Sequence, residues 1–217
     1  MTTLKEGLPP LPPRLSGLPI SPDGYPVPWF VAYVNGVPDF RCSDARKLVV
    51  AVSEDRCWMC GERNGAYKIF AIGPMCAVNR VTAEPPCHLE CAEYAVRACP
   101  WLMSPRRRRR EKDLPEEHDG CAGEMIKRNP GVTLLWATKK FKPFRAGGGG
   151  TGILFRLGDP VNLGWWCRGR TATREEIVDA IESGMPILRE VAASDPPGSV
   201  EELERMYQAA LRLVPAA

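Results

Sequence analysis

Apolar and polar positions alternate in ways that divide the chain into recognisable elements. Trp29–Val34 and Val37–Arg41 are two apolar-rich runs separated by Asn35-Gly36. An Asn-Gly pair in that setting predicts a hairpin, because a type I′ turn needs positive φ at both central residues. Pro38 would keep the returning strand at an edge. Residues 45–53 fit a short helix or a strand equally well. Tyr67–Ile72, Val132–Ala137 and Ile153–Leu157 read as strands. Residues 87–99 have helical spacing, with Leu89, Ala92, Val96 and Cys99 expected to face inward. Two further helices are predicted near the end, each opened by a capping box: Thr173 with Glu176, and Ser199 with Glu202. Ile177, Ile181 and Met185 form the inner stripe of the first, which Gly184 is expected to close. Leu203, Met206, Tyr207, Ala210 and Val214 form that of the second.

Between these elements lie segments of a different kind. Residues 1–28 hold eight of the 22 prolines, so this arm should be extended and excluded from a sheet interior. Its Leu11, Leu15, Leu18 and Ile20 favour docking across the body over capture by a partner's aromatic groove. Residues 104–130 are polar and read as a linker. Gly147 to Gly150 with Gly152 suggest a hairpin tip. A phosphate-cradling loop would instead need a Gly-Lys-Ser/Thr ending and a following helix. The expected organisation is therefore an α+β chain in four parts. These are a Pro-rich arm (1–28), a hairpin with a cysteine-rich module (29–103), an Arg-rich linker (104–130), and a β-hairpin followed by C-terminal helices (131–217).

Composition bounds the possibilities without choosing among them. The chain has 217 residues, 44% hydrophobic and 25% charged, enough for one large core or two small ones. No apolar run approaches the ~18 residues needed to span a bilayer, and the N-terminus lacks the apolar stretch of a signal peptide. A cytoplasmic protein with no membrane partner is expected. Net charge is only +3, but it is segregated. Basic clusters occupy Arg106, Arg107, Arg108, Arg109 and Arg110, and then Lys139, Lys140, Lys142 and Arg145. Residues 171–217 set nine acidic residues against four arginines. Such segregation suits a basic surface for a polyanion, although solvated loops would carry the same composition.

Cysteine usage is the chemically informative feature. Nine cysteines, an odd number with no secretion signal, favour metal binding or reduced thiols over a disulfide framework. Cys57-x-x-Cys60-Gly61 is followed by His88-x-x-Cys91. Two close pairs of thiolate and imidazole donors are how structural zinc sites usually supply a tetrahedron. Gly61 suits the tight turn of the first pair. In the second, i,i+3 spacing at a helix start puts His88 and Cys91 on one face, where the helix dipole favours a thiolate. Cys87, at i,i+4 from Cys91, is an alternative fourth ligand; His88 is preferred because only two histidines exist and one stands here. A knuckle, a hairpin and then ligands on a helix N-terminus is a treble-clef-like order. Cys42, Cys76, Cys99, Cys121 and Cys167 lack paired spacing and read as core thiols.

Phe70–Arg80, Glu84–Cys91, Ala98–Leu102 and Gly169–Glu176 resemble segments of a family of uncharacterised bacterial and phage proteins with such a centre. The resemblance runs from about Pro26 onward and implies a phage or prophage origin, hence a host cytoplasm. It implies no activity.

Three function classes follow. In the first, zinc folds a scaffold whose two basic clusters bind DNA or RNA phosphates, with Phe141 and Phe144 either stacking on unpaired bases or packing in a strand. In the second, the chain is a zinc-stapled interaction protein offering its arm, acidic helices and tryptophans; Trp165-Trp166 on a strand would place one ring on each face. The third is a zinc enzyme. His88-Leu-Glu90 echoes the H-x-E of deaminases, but the C-x-x-C precedes it, and four protein ligands leave no open position for water. A nuclease would have only His118 as a spare base, and so would a cysteine nucleophile. A non-enzymatic nucleic-acid-binding protein is the preferred reading.

Overall fold

A computed structural model describes residues 3–105, 108, 112, 129–145 and 152–216. Arg106, Arg107, Arg109, Arg110, His118, Cys121 and Gly147 to Gly150 therefore lie outside the described residues. The described residues form a mixed α+β structure with antiparallel sheets and five α-helices.

The Asn-Gly hairpin is present: β1 (Val31–Val34) and β2 (Val37–Ser43) pair antiparallel, with Asn35 and Gly36 at φ 51° and 79°. The ambiguous segment is a helix, α1 (Ala45–Ser53), and the Asp44 side chain caps it by accepting from the Arg46 amide.

β3 (Lys68–Ile72) leads into a short helix, α2 (Pro74–Asn79), and β4 (Val81–Thr82). Nothing in the apolar pattern singled α2 out. The expected hairpin between the two ligand pairs is reduced to a single antiparallel bridge, Ile69 with Cys87. β3 pairs instead with β5 (Thr133–Thr138), and β4 with β7 (Ile153–Leu157). Helix α3 (Leu89–Ala98) starts at Leu89, with His88 as N-cap. Ala92 and Val96 are buried as expected, but Leu89 is exposed. The first turn must aim His88 and Cys91 inward, and that rotates Leu89 out.

β5 pairs on its other side with β8 (Pro160–Cys167), which continues to β9 (Arg170–Thr171). β6 (Phe141–Arg145) pairs with β7, flanking the glycine segment. The chain thus forms a two-stranded hairpin, a four-stranded sheet β3-β5-β8-β9 and a three-stranded sheet β4-β7-β6.

The four-stranded sheet separates two apolar clusters, and the two-residue period of its strands assigns side chains to each. Phe70, Ile72, Leu134, Trp136 and Trp165 join the larger cluster, with α2 and the C-terminal helices. Ile69, Leu135 and Ala137 join the smaller, with Cys57, Cys91 and α3. Trp166 points to the smaller side, half-buried beneath the Arg97 guanidinium. The N-terminal arm docks here too. Leu15, at the end of a 3-10 turn (Pro13–Leu15), is fully buried, a burial that stabilises by about 1.5–3 kcal/mol.

The C-terminal helices are α4 (Arg174–Ser194) and α5 (Ser199–Leu211). The Thr173–Glu176 capping box is complete, and Ile177, Ile181 and Met185 are buried. Gly184 does not end α4, which passes through it and through Pro186 to Ser194. Its role is close approach: a Cβ there would lie 2.2 Å from the Met75 sulfur on α2. The second capping box is absent. Gly198, at φ 93°, is the N-cap of α5, and the Ser199 hydroxyl donates to the Pro196 carbonyl at 2.7 Å.

Glu176 links this helix start to β9. Arg170, with help from the Thr173 amide, holds its carboxyl down at about 2, well below the usual carboxylate value. A depressed folded-state pKa contributes stability that is present above the unfolded value, near 4.5, and lost as pH falls toward 2. Glu176→Gln keeps the capping geometry and removes the charge. Urea midpoints at several pH values should show the variant less stable than the parent at neutral pH, with the gap closing between about pH 4.5 and 2.

Candidate metal centre

The first ligand pair sits on a tight knuckle. The Cys57 amide donates to the Glu62 carbonyl at 2.7 Å and the Gly61 amide to the Cys57 carbonyl at 2.9 Å, while Arg56 and Arg63 bridge at its base. Gly61 is at φ 78°, and a Cβ there would lie 2.7 Å from the Trp29 ring. Trp29 is fixed in turn by its amide's bond to the Met59 carbonyl at 2.7 Å, and Trp58 is stacked on Phe30 at 5.0 Å. The hairpin entry therefore packs directly on the knuckle.

The second pair is carried by the N-terminus of α3, and backbone bonds tie it to the first. The Trp58 amide donates to the Pro86 carbonyl at 3.1 Å, and Ile69 and Cys87 exchange both bonds of a bridge at 2.8 and 3.1 Å. The side chains of Cys57, Cys60, His88 and Cys91 then converge, with their donor atoms all within 4.8 Å of one another. His88 Nδ1 lies 3.4 Å from Cys60 Sγ and 4.0 Å from Cys91 Sγ. Metal bonds of about 2.3 Å to sulfur and 2.0 Å to nitrogen at tetrahedral angles would put the donors about 3.5–3.8 Å apart. The four residues are thus close enough to hold a metal ion, and the donor set is consistent with zinc.

The imidazole is oriented for this role. Its Nε2 lies 3.0 Å from the Arg63 carbonyl, which can only accept, so Nε2 carries the proton and the Nδ1 lone pair faces the sulfurs. Cys87 points elsewhere: its thiol donates to the Ile69 carbonyl at 3.3 Å, and it is not part of the cluster. That choice could not be made from spacing, since strand pairing between Ile69 and Cys87 decides it.

Three thiols at such close quarters do not all ionise without a cation. Hydrogen bonds from Cys60 and Cys91, aided by the Cys60 and His88 amides, hold Cys57 as a thiolate far below the usual thiol range. The same bonds push Cys60 and Cys91 up, and burial adds to the effect. A divalent ion would reverse that repulsion.

Sequence spacing missed the supports around the cluster. Arg14 of the arm pairs with both Glu62 of the knuckle and Glu90 of α3, the latter at 2.7 Å. These pairs are exposed and screened, so apolar Leu15 beside them contributes more to docking the arm. Of the other thiols, Cys42 and Cys167 are buried and Cys76 and Cys99 half-buried.

The basic residues are placed as follows. Lys139 and Lys140 are exposed at the turn from β5 to β6, Lys142 and Arg145 are exposed on β6, and Arg108 is exposed. Lys139 lies 5.2 Å from the Tyr67 ring, and both Tyr67 and His88 line a hollow of about 430 Å³. Phe141 and Phe144 diverge: Phe141 packs edge-on against Phe70 at 5.4 Å, while Phe144 is outside that cluster. Among the described residues no helix is long and apolar enough to cross a membrane.

Compared with protein-family models, curated proteins and solved structures, the chain matches none. The four-residue cluster is therefore the firmest guide to what the chain does.

Gly61→Ala tests the knuckle. The residue would be forced to hold a left-handed backbone, costing roughly 1–2 kcal/mol, while its methyl collides with the Trp29 ring. The expected outcome is a lower denaturation midpoint together with weaker metal retention, read by metal analysis after dialysis.

Proposed function

We propose that this is a zinc-stapled, non-enzymatic nucleic-acid-binding protein. The observation that carries the reading is the closed Cys57–Cys60–His88–Cys91 cluster. A zinc ion there would take all four protein donors, leaving no position for a reactive water. Its contribution would be to tie the knuckle to α3, in a treble-clef-like ligand arrangement, and so to fix the smaller apolar cluster. Reduced thiols in this number suit a reducing compartment such as a cytoplasm. The resemblance noted above adds a phage or prophage origin.

Nucleic acid is the favoured partner because Lys139 and Lys140 at the β5–β6 turn, and Lys142 and Arg145 on β6, are all exposed. Arg106 to Arg110 would supply further phosphate contacts. Each phosphate neutralised releases counterions, giving salt-sensitive affinity without sequence readout. A protein partner is the second reading. It is favoured by Tyr33, Val37 and Phe40, exposed on the β1–β2 hairpin, and by Val49, exposed on α1.

Metal analysis should give one zinc per chain. Chelation, or Cys60→Ser, should unfold residues 57–103, because metal binding supplies folding free energy there; hydrogen exchange reads this segment by segment. Replacing Lys139, Lys140, Lys142 and Arg145 with Gln should lower the slope of log affinity against log salt by about 1 for each phosphate no longer neutralised, and leave zinc content unchanged. Replacing Arg106–Arg110 with Gln should act in the same direction. A protein that binds zinc but neither DNA nor RNA at low salt would turn the assignment to a protein partner.

A further inference from the structure

The three-stranded sheet β4-β7-β6 has two unlike faces. Its inner face carries Phe141, Phe155 and Leu157 into the larger apolar cluster. On its outer face the register sets Lys142 directly opposite Arg156, and Phe144 opposite Leu154. Lys142 and Arg156 are exposed, and Phe144 and Leu154 half-buried. The Arg156 guanidinium lies 5.4 Å from the centre of the Phe144 ring.

Two features of this face call for an anionic occupant. First, like charges directly opposite each other on adjacent strands destabilise a sheet. From Gly131 to Gly158 the chain carries Lys139, Lys140, Lys142, Arg145 and Arg156 and not one Asp or Glu. Second, the neighbouring arginines are already paired and these two are not. Arg80 is held by Asp159 at 2.9 Å and by the Trp136 ring, and Arg205 by Glu202. Among the described residues neither Lys142 nor Arg156 forms an ion pair.

We infer that this outer face is a platform for single-stranded nucleic acid, in which Lys142 and Arg156 hold successive phosphates and Phe144, backed by Leu154, stacks an unpaired base. The inference rests on the nucleic-acid reading above and narrows it. The observation that favours single strands is the Phe144 ring on the same face as the two cations. An aromatic ring on such a surface reaches a base face only when the base is unstacked from its neighbours. Arg156 is the residue that spacing along the chain did not offer. It lies outside both basic runs and joins the second only through the pairing of β6 with β7.

Fluorescence anisotropy with labelled oligothymidylate, oligouridylate and a hairpin duplex, at two salt concentrations, tests the assignment on the full-length protein. Phe144→Leu preserves apolar packing and should weaken binding of both single strands by about tenfold, the cost of removing one base stack, while leaving duplex binding unchanged. Lys142→Gln and Arg156→Gln should each flatten the salt dependence by about 1 in slope. Zinc content and denaturation midpoint of each variant establish that the fold is kept. If Phe144→Leu binds single strands as the parent does, or duplex binds more tightly than single strands, the platform is overturned while the basic-surface reading stands. If no nucleic acid binds at either salt concentration, both fall. Sedimentation with anionic phospholipid vesicles in place of nucleic acid would also overturn both, and would reassign the face to a lipid surface.

Discussion

Convergence of the knuckle and the α3 N-terminus on one small volume is the constraint from which the smaller half of the molecule follows. Three sulfurs and an imidazole nitrogen within 4.8 Å of one another are an unfavourable gathering on their own. Two of the thiols are driven toward their neutral form by the third. The fold nonetheless spends specific contacts on holding them there. The Trp58–Pro86 bond and the Ile69–Cys87 bridge register the two segments, Arg63 turns the imidazole, and Leu15 seals the cluster from the side of the arm. Contacts that crowd three thiols, only one of which ionises readily, make physical sense when a cation completes the group.

The four-stranded sheet transmits this constraint to the rest of the chain. β3 carries Ile69 toward the cysteine-rich side and Phe70 toward the larger apolar cluster, and β5 does the same with Leu135 and Trp136. One sheet is thus a shared wall, and its strands come from either side of the 104–130 segment. The central strand β5 is buried along its whole length, as expected of a strand covered on both faces. Strands β3, β5 and β8 therefore link the cysteine-rich cluster to the larger one, whereas the β6–β7 hairpin packs on the larger cluster alone.

Elements governed by local chemistry were legible in the sequence. The Asn35-Gly36 turn, the Thr173–Glu176 box and the two ligand pairs each involve residues within a few positions of one another, where backbone sterics and spacing suffice. What escaped was governed by partners distant in the chain. Gly184 looks like a helix stop, but its lack of a side chain serves the approach of Met75, more than a hundred residues earlier in the chain. Ser199 has the right neighbours for a cap, yet Gly198 takes the cap position and the hydroxyl turns back to Pro196. Leu89 fits an inward stripe by spacing alone; the need to aim His88 and Cys91 at the cluster sets the helix rotation instead. The choice between Cys87 and His88 was likewise made by β3, whose Ile69 carbonyl occupies the Cys87 thiol.

The same distinction explains why the basic surface is harder to read than the metal centre. Metal ligands are few and fixed in geometry, so two short motifs nearly define them. A polyanion site is assembled from charges whose neighbours decide whether they are available. Arg80, Arg156 and Arg205 border one groove and would look equivalent in a charge count. Asp159 and Glu202 neutralise the first and last, while Arg156 is left against an aromatic ring and across from a lysine. Strand pairing, not sequence proximity, creates that juxtaposition. It also places the basic face on a sheet that shares no strand with the cysteine-rich side.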